Sequence, residues 1–210
     1  MDLTVLGSAK ISLAAQFLIN LVTLGTLAFV ETPDDLRLIV ALEASVQLVE
    51  FLWYATAVYR KREIVTSSRY IDWIISTPTM LLTSILFYRL RAGEDVVATF
   101  PEHAGLLVAV VLFNTAMLLC GLAIEYKLAS IYSAGLAGYA MLVVTFVIVA
   151  TFVPQGDTLS ETLHYATFIV WSLYGVAIAL PYAPKNIAYN LLDVVSKNFF
   201  GIFLFVYALA

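Results

Sequence analysis

The sequence predicts an all-α membrane protein folded as a bundle of seven transmembrane helices. Hydrophobic residues fill 62% of the 210 positions and charged residues only 12%, and the mean hydropathy is +0.94, a balance outside the range of soluble globular chains. The apolar residues fall in runs close to the roughly 20 residues that a hydrocarbon core of about 30 Å requires. The segments between runs are short, so helices adjacent in sequence should pack antiparallel in one bundle.

The runs cover residues 8–30, 36–59, 69–90, 104–124, 128–153, 161–182 and 186–209. Each is bounded by charged or turn-forming residues. Before the first, MDLTVLGSAKISLAAQFL has no basic n-region and no small-residue cleavage site, so it reads as the start of a span and not as a signal peptide. The connectors ETPDD, RKREIVTSS and VPQGDTLS, with residues 91–103 and 125–127, leave no room for a soluble domain. Residues 1–210 therefore read as a single seven-helix domain, without repeat or low-complexity segment. The one cysteine, Cys120, excludes an internal disulfide and a cysteine-based metal site, and it reads as a packing residue. No metal is expected. The partner implied is the lipid bilayer, and nothing points to nucleic acid.

Ionisable and polar side chains are costly inside a span, so each marks a candidate function. In the seventh run Asp193 and Lys197 stand four residues apart on one helical face. They can form a structural ion pair between helices, or the lysine can serve as the amine that condenses with an aldehyde, with Asp193 and Asp72 as counterions. In the third run Asp72, Ser76 and Thr83 share a stripe preceded by Arg69. In the second, Glu43, Gln47, Glu50 and Tyr54 repeat at four, three and four residues, a polar seam in an apolar helix.

The segments RYIDWIISTPTMLL (69–82) and LLDVVSKNFFG (191–201) resemble the third and seventh helices of microbial rhodopsins. They couple arginine, aspartate three residues on, tryptophan next and Thr77-Pro78 with an Asp-x-x-x-Lys in the last helix. Trp171-Ser172-Leu173-Tyr174 is similar to the retinal-packing Trp-x-x-Tyr of the sixth helix, with Gly175 where many members have proline. The resemblance implies all-trans retinal bound in the interior as a Schiff base on Lys197, and a photoreceptor rather than an enzyme. It makes Asp72 the primary counterion and proton acceptor and Asp193 the second counterion. Arg69 would sit extracellular of both and grip both carboxylates. Trp73 and Trp171 would sandwich the polyene, and Tyr70, Thr77, Met80, Asn114, Met117, Tyr174 and Ser196 would line the pocket. Ser196 beside the lysine favours shorter wavelengths, in the blue-green.

The resemblance also orders the possible functions. Proton pumps of this family carry a cytoplasmic carboxylate two turns beyond Ser76, where this chain has Thr83. Signatures of sodium and chloride pumps are missing as well. Glu50 is similar to the second-helix glutamate that in channelrhodopsins meets the asparagine after the retinal lysine, here Asn198, and a serine of the first helix, here Ser12 or Ser8. With Glu43, Gln47, Ser76 and Thr83 these residues would line a polar cation pathway. The compact chain looks more like the small rhodopsins of giant algal viruses than like algal channelrhodopsins. The leading expectation is a cation channel gated by all-trans to 13-cis isomerisation and Schiff-base deprotonation. An outward proton pump without the usual donor, reprotonated slowly or through Glu43, is the alternative, and a photosensor acting through a partner is a third. Trimers or pentamers are common in the family. The family places the N-terminus outside and the C-terminus in the cytoplasm, whereas the basic residues Arg60, Lys61, Arg62, Lys127 and Lys185 favour the opposite by the positive-inside count. We follow the family orientation, because its vectorial chemistry needs Arg69 outside.

Overall fold

The computed structural model describes residues 4–60 and 64–210. Lys61 and Arg62 of the charge count lie outside them, as do the first three residues. Seven long helices run in chain order: α1 (Val5–Phe29), α2 (Asp34–Tyr59), α3 (Arg69–Arg91), α4 (Ala104–Glu125), α5 (Ile131–Ala150), α6 (Thr158–Ala177) and α7 (Tyr182–Leu209). All but α6 are long and apolar enough to cross a membrane by composition alone. The 20 residues of α6 include Glu161 and His164, which dilute its hydropathy without shortening it. The chain is an integral, multi-pass membrane protein.

Local chemistry accounts for most helix ends. The Thr4 side chain accepts from the Gly7 amide at 2.9 Å and caps α1. Ser130 does the same for α5 through the Ser133 amide, each occupying a donor the helix cannot satisfy itself. Asp34 and Asp35 stand in the first turn of α2, where the helix dipole favours them. Gly93 and Gly156 adopt φ of 71° and 77° in the loops after α3 and α5, a region open chiefly to glycine.

Four features differ from the expected spans, the first being α6, which runs from Thr158 to Ala177 and not over 161–182. Helix α5 is shorter at both ends than residues 128–153, because Lys127 takes a left-handed φ of 58° and Thr151 caps the other end. The connector between α3 and α4 contains a one-turn helix, Thr99–Glu102, that apolar runs could not reveal. Helix α7 begins four residues early and is interrupted by a wide π turn over Val194–Asn198, which contains Lys197. Such single wide turns recur at functional sites.

Burial is inverted relative to a soluble protein. Leu112 and Leu136 are 64% and 73% exposed, while Gln16, Glu50, Arg69 and Asn198 are fully buried. Lipid takes the place of a core around the outside, and polar groups must find partners inside. On the side holding the ends of α3 and α6, Arg91 grips Asp157 with two hydrogen bonds of 3.0 and 2.6 Å, and Ser160 donates to the same carboxylate.

Candidate functional site

Lys197 sits midway along α7 with 1% of its surface exposed, and its Nζ forms an ion pair with Asp72 Oδ2 from α3. Asp193, one helical turn earlier, is 4.0 Å from Nζ. The tighter partner is thus the aspartate across the bundle, not the neighbour on the same helix. The reason lies in what else Asp193 holds. Its Oδ2 receives Tyr54 Oη at 2.7 Å and Arg69 Nη1 at 3.3 Å, and its Oδ1 receives Tyr174 Oη at 2.8 Å and Trp73 Nε1 at 3.3 Å. Asp72 Oδ1, by contrast, is buried and makes no hydrogen bond of good geometry, and the same holds for Ser76 Oγ one turn further on.

The expected grip of Arg69 on both carboxylates is realised for Asp193 alone. The guanidinium is held by Asn186 Oδ1 at 3.2 Å, by Asn190 Oδ1 and by Tyr54 Oη, and it lies 5.0 Å from the Trp53 ring. Asn186 and Asn190, both fully buried, escaped the sequence reading. Asn190 also donates to Ser8 Oγ at 2.8 Å and to the Val5 carbonyl at 3.1 Å, which ties the start of α1 to α7. Replacing it as Asn190→Ala should cost about 3 kcal/mol, since each buried group left unpaired costs about 1–3 kcal/mol. Thermal denaturation checks this. A midpoint equal to wild type would show that the network is not structural.

From Lys197 an apolar cavity of about 380 Å³ extends between α3, α4, α5 and α6. That size lies within the range of small-molecule sites. Trp73, Thr77, Met80, Met117, Trp171, Tyr174, Tyr70 and Ser196 all line it. Asn114 lies behind this wall, donating to Thr77 Oγ1 at 2.8 Å. The donor set fits a long apolar aldehyde: aromatic walls, a buried amine at one end and a carboxylate against that amine.

The second-helix seam is wholly interior, with Glu43, Gln47, Glu50 and Tyr54 at most 1% exposed. Asn198 Nδ2 reaches Glu50 Oε2 at 3.2 Å, as expected. The serine does not meet Glu50 directly. Gln16 stands between them, donating to Glu50 Oε1 at 3.0 Å and to Ser12 Oγ at 2.8 Å. Ser8 instead belongs to the Asn190 network. Thr83 donates to the Met80 carbonyl at 2.8 Å. No cluster of histidine, cysteine or acidic residues suited to a metal occurs among the described residues.

A bundle of seven helices with a buried lysine paired to an aspartate at one end of an apolar cavity defines an integral membrane protein with an interior ligand site. The chain belongs to the family of bacteriorhodopsin-like proteins, whose profile matches residues 9–210. Among solved structures it is similar to the viral rhodopsin OLPVRII, at 24% identity and a TM-score of 0.90 over 98% of this chain and 97% of that one. It is also similar to the blue light-absorbing proteorhodopsin from Med12, at 19% identity and 0.77 over 98% of both chains. Halorhodopsin from Halobacterium salinarum matches at 20% identity and 0.76, over 96% of this chain and 91% of that one. At these identities the likeness is one of fold. A comparison with curated proteins finds no match. The family implies retinal as chromophore.

Proposed function

We propose that this chain is a light-gated cation channel, its N-terminus extracellular and its C-terminus cytoplasmic. What carries the reading is a file of buried polar groups between α1, α2, α3 and α7, several with an atom that makes no hydrogen bond of good geometry: Gln16 Oε1, Asn20 Oδ1, Asn198 Oδ1 and, beside each other, Glu43 Oε1 and the Gln47 amide. Buried polar atoms are nearly always satisfied, by protein or by water. A row of such atoms along one seam is therefore a place for water and hydrated ions. The carboxylates of Glu43 and Glu50 would favour cations over anions.

Lys197 and the aromatic walls of the cavity would hold retinal, which when bound would supply light absorption and an all-trans to 13-cis isomerisation. The chain supplies the rest. Lys197 Nζ passes a proton to Asp72, which is already in contact with it and has a second oxygen free of hydrogen bonds. Loss of the charge on Nζ changes the field at Asn198, the next residue in the π turn, and releases its hold on Glu50. Glu50 stays anchored through Gln16, so the seam widens between α2 and α7. Arg69, fixed by Asn186 and Asn190, stays with Asp193 at the extracellular end.

One observation favours a second reading as an outward proton pump: Glu43 lies beside Thr83 and Gln47, close to where a pump of this family keeps its donor. Photocurrent against voltage separates the two. For a channel the current changes sign with voltage, and its reversal potential moves by about 59 mV per tenfold change in a single permeant monovalent cation. A current outward at every accessible voltage would reject the channel in favour of the pump, and the absence of any current would reject both.

A further inference from the structure

Helix α7 departs from regular geometry around Asp193. In a regular helix the Val194 amide would donate to the Asn190 carbonyl. Here it turns back to the Leu191 carbonyl, and the wide turn Val194–Asn198 follows at once. The Asn190 carbonyl receives Ser12 Oγ of α1 instead, at 3.1 Å. A buried main-chain carbonyl needs a donor, and a side chain of another helix supplies it at the entrance to the turn that carries Lys197.

The Ser12 hydroxyl is itself held in place. Its oxygen accepts Gln16 Nε2 at 2.8 Å, which leaves its proton for the Asn190 carbonyl. Gln16 Nε2 also reaches Glu50 Oε1 at 3.0 Å, and Asn198, the last residue of the wide turn, donates to Glu50 Oε2 at 3.2 Å. Asn190, Ser12, Gln16, Glu50 and Asn198 thus close a ring around the turn, and all five are fully buried. Ser12 grips α7 before the turn, and Glu50 grips it at the end.

The placing of Lys197 depends on this turn. In a regular helix it would share a face with Asp193, four residues earlier. A turn closed by bonds spanning five residues carries the lysine off that face, and its Nζ meets Asp72 across the bundle while Asp193 stays at 4.0 Å. We propose that Ser12 is a positioning residue for Lys197: by taking the Asn190 carbonyl it keeps the wide turn in place and so keeps Nζ on Asp72. The contact is to main chain, so a change of side chain at Asn190 does not remove it. The inference rests on retinal attachment at Lys197 and holds for a channel and a pump alike.

The test measures the drop in the alkaline bleaching midpoint that Asp72→Asn causes in three backgrounds of the retinal-loaded protein. With no other change the drop is expected to be about two pH units. With Ser12→Ala the Val194 amide returns to Asn190 and Nζ swings toward Asp193, so the drop should shrink to about one unit, a roughly tenfold change in the equilibrium. Gln16→Ala cuts the link to Glu50 but leaves Ser12 on α7, and it should keep the larger drop. Equal drops with and without Ser12→Ala would overturn the proposal. So would a Gln16→Ala effect as large as that of Ser12→Ala, since Ser12 would then act only through Glu50. A second readout needs no retinal: the structure of the Ser12→Ala apoprotein. A regular α7 through residues 194–198 supports the role of Ser12, and an unchanged wide turn discards it, even if that variant forms no pigment.

Discussion

Lys197→Ala is expected to give a protein that folds but remains colourless when retinal is added. No other lysine among the described residues lines the cavity, so none can replace the lost amine. Lys197→Arg should be equally colourless, because a guanidinium keeps its proton and does not condense with an aldehyde. The alanine variant also removes the cation that Asp72 contacts. Breaking a buried ion pair by deleting one partner costs about 3–5 kcal/mol, so the thermal midpoint should fall as well. Adding Asp72→Asn to Lys197→Ala should recover much of that loss without restoring colour. The two readouts, absorbance and thermal denaturation, then separate the lysine's chemistry from its charge. A visible band in Lys197→Ala would place the chromophore elsewhere.

The fold was legible because hydropathy is a direct physical requirement of the bilayer, and the seven runs follow from it. That Lys197 meets Asp72 and Asp193 was legible for a related reason, since ionisable residues within a span have few alternatives to each other, but that Asp72 is the primary partner was implied only by the resemblance to microbial rhodopsins. What the sequence hid were the decisions made in three dimensions. Nothing in LLDVVSKNFFG marks the wide turn that carries Lys197, and no spacing rule says which of two aspartates Arg69 selects. That choice rests on Asn186 and Asn190, which read as ordinary polar residues near a helix start. Gln16 is different, because a signal was present. Ser8, Ser12, Gln16, Asn20 and Thr23 recur at intervals of four, four, four and three, and all are buried. The same seam argument that singled out Glu43, Gln47, Glu50 and Tyr54 on α2 applies to α1 and would have found the residue that bridges Ser12 to Glu50.

The two carboxylates near Lys197 should respond in opposite ways to the same substitution. Asp72 contacts Nζ and has one oxygen free of hydrogen bonds, so nearly all of its charge is available to the lysine nitrogen. Asp193 stands 4.0 Å away and shares its charge among Tyr54, Arg69, Trp73 and Tyr174. Removing the charge as Asp72→Asn should therefore shift the absorption maximum to the red and lower the pH at which alkali bleaches the pigment. A unit charge at about 4 Å is worth about 4 kcal/mol at an effective dielectric constant near 20, and one pH unit corresponds to about 1.4 kcal/mol. With Asp193 compensating in part, a drop of about two pH units is expected. Stability should fall by less than the full cost of breaking a buried pair, because Asp193, 4.0 Å from Nζ, still leaves the lysine nitrogen one carboxylate. Asp193→Asn should do the reverse, shifting the spectrum less but costing about 3–5 kcal/mol, because it strands the buried guanidinium of Arg69 with neutral partners only. Visible titration and thermal denaturation of both variants make the comparison. If Asp193→Asn moves the band and the bleaching midpoint more than Asp72→Asn does, Asp193 is the dominant counterion, and the proton leaving Lys197 has a different first acceptor from the one its geometry indicates.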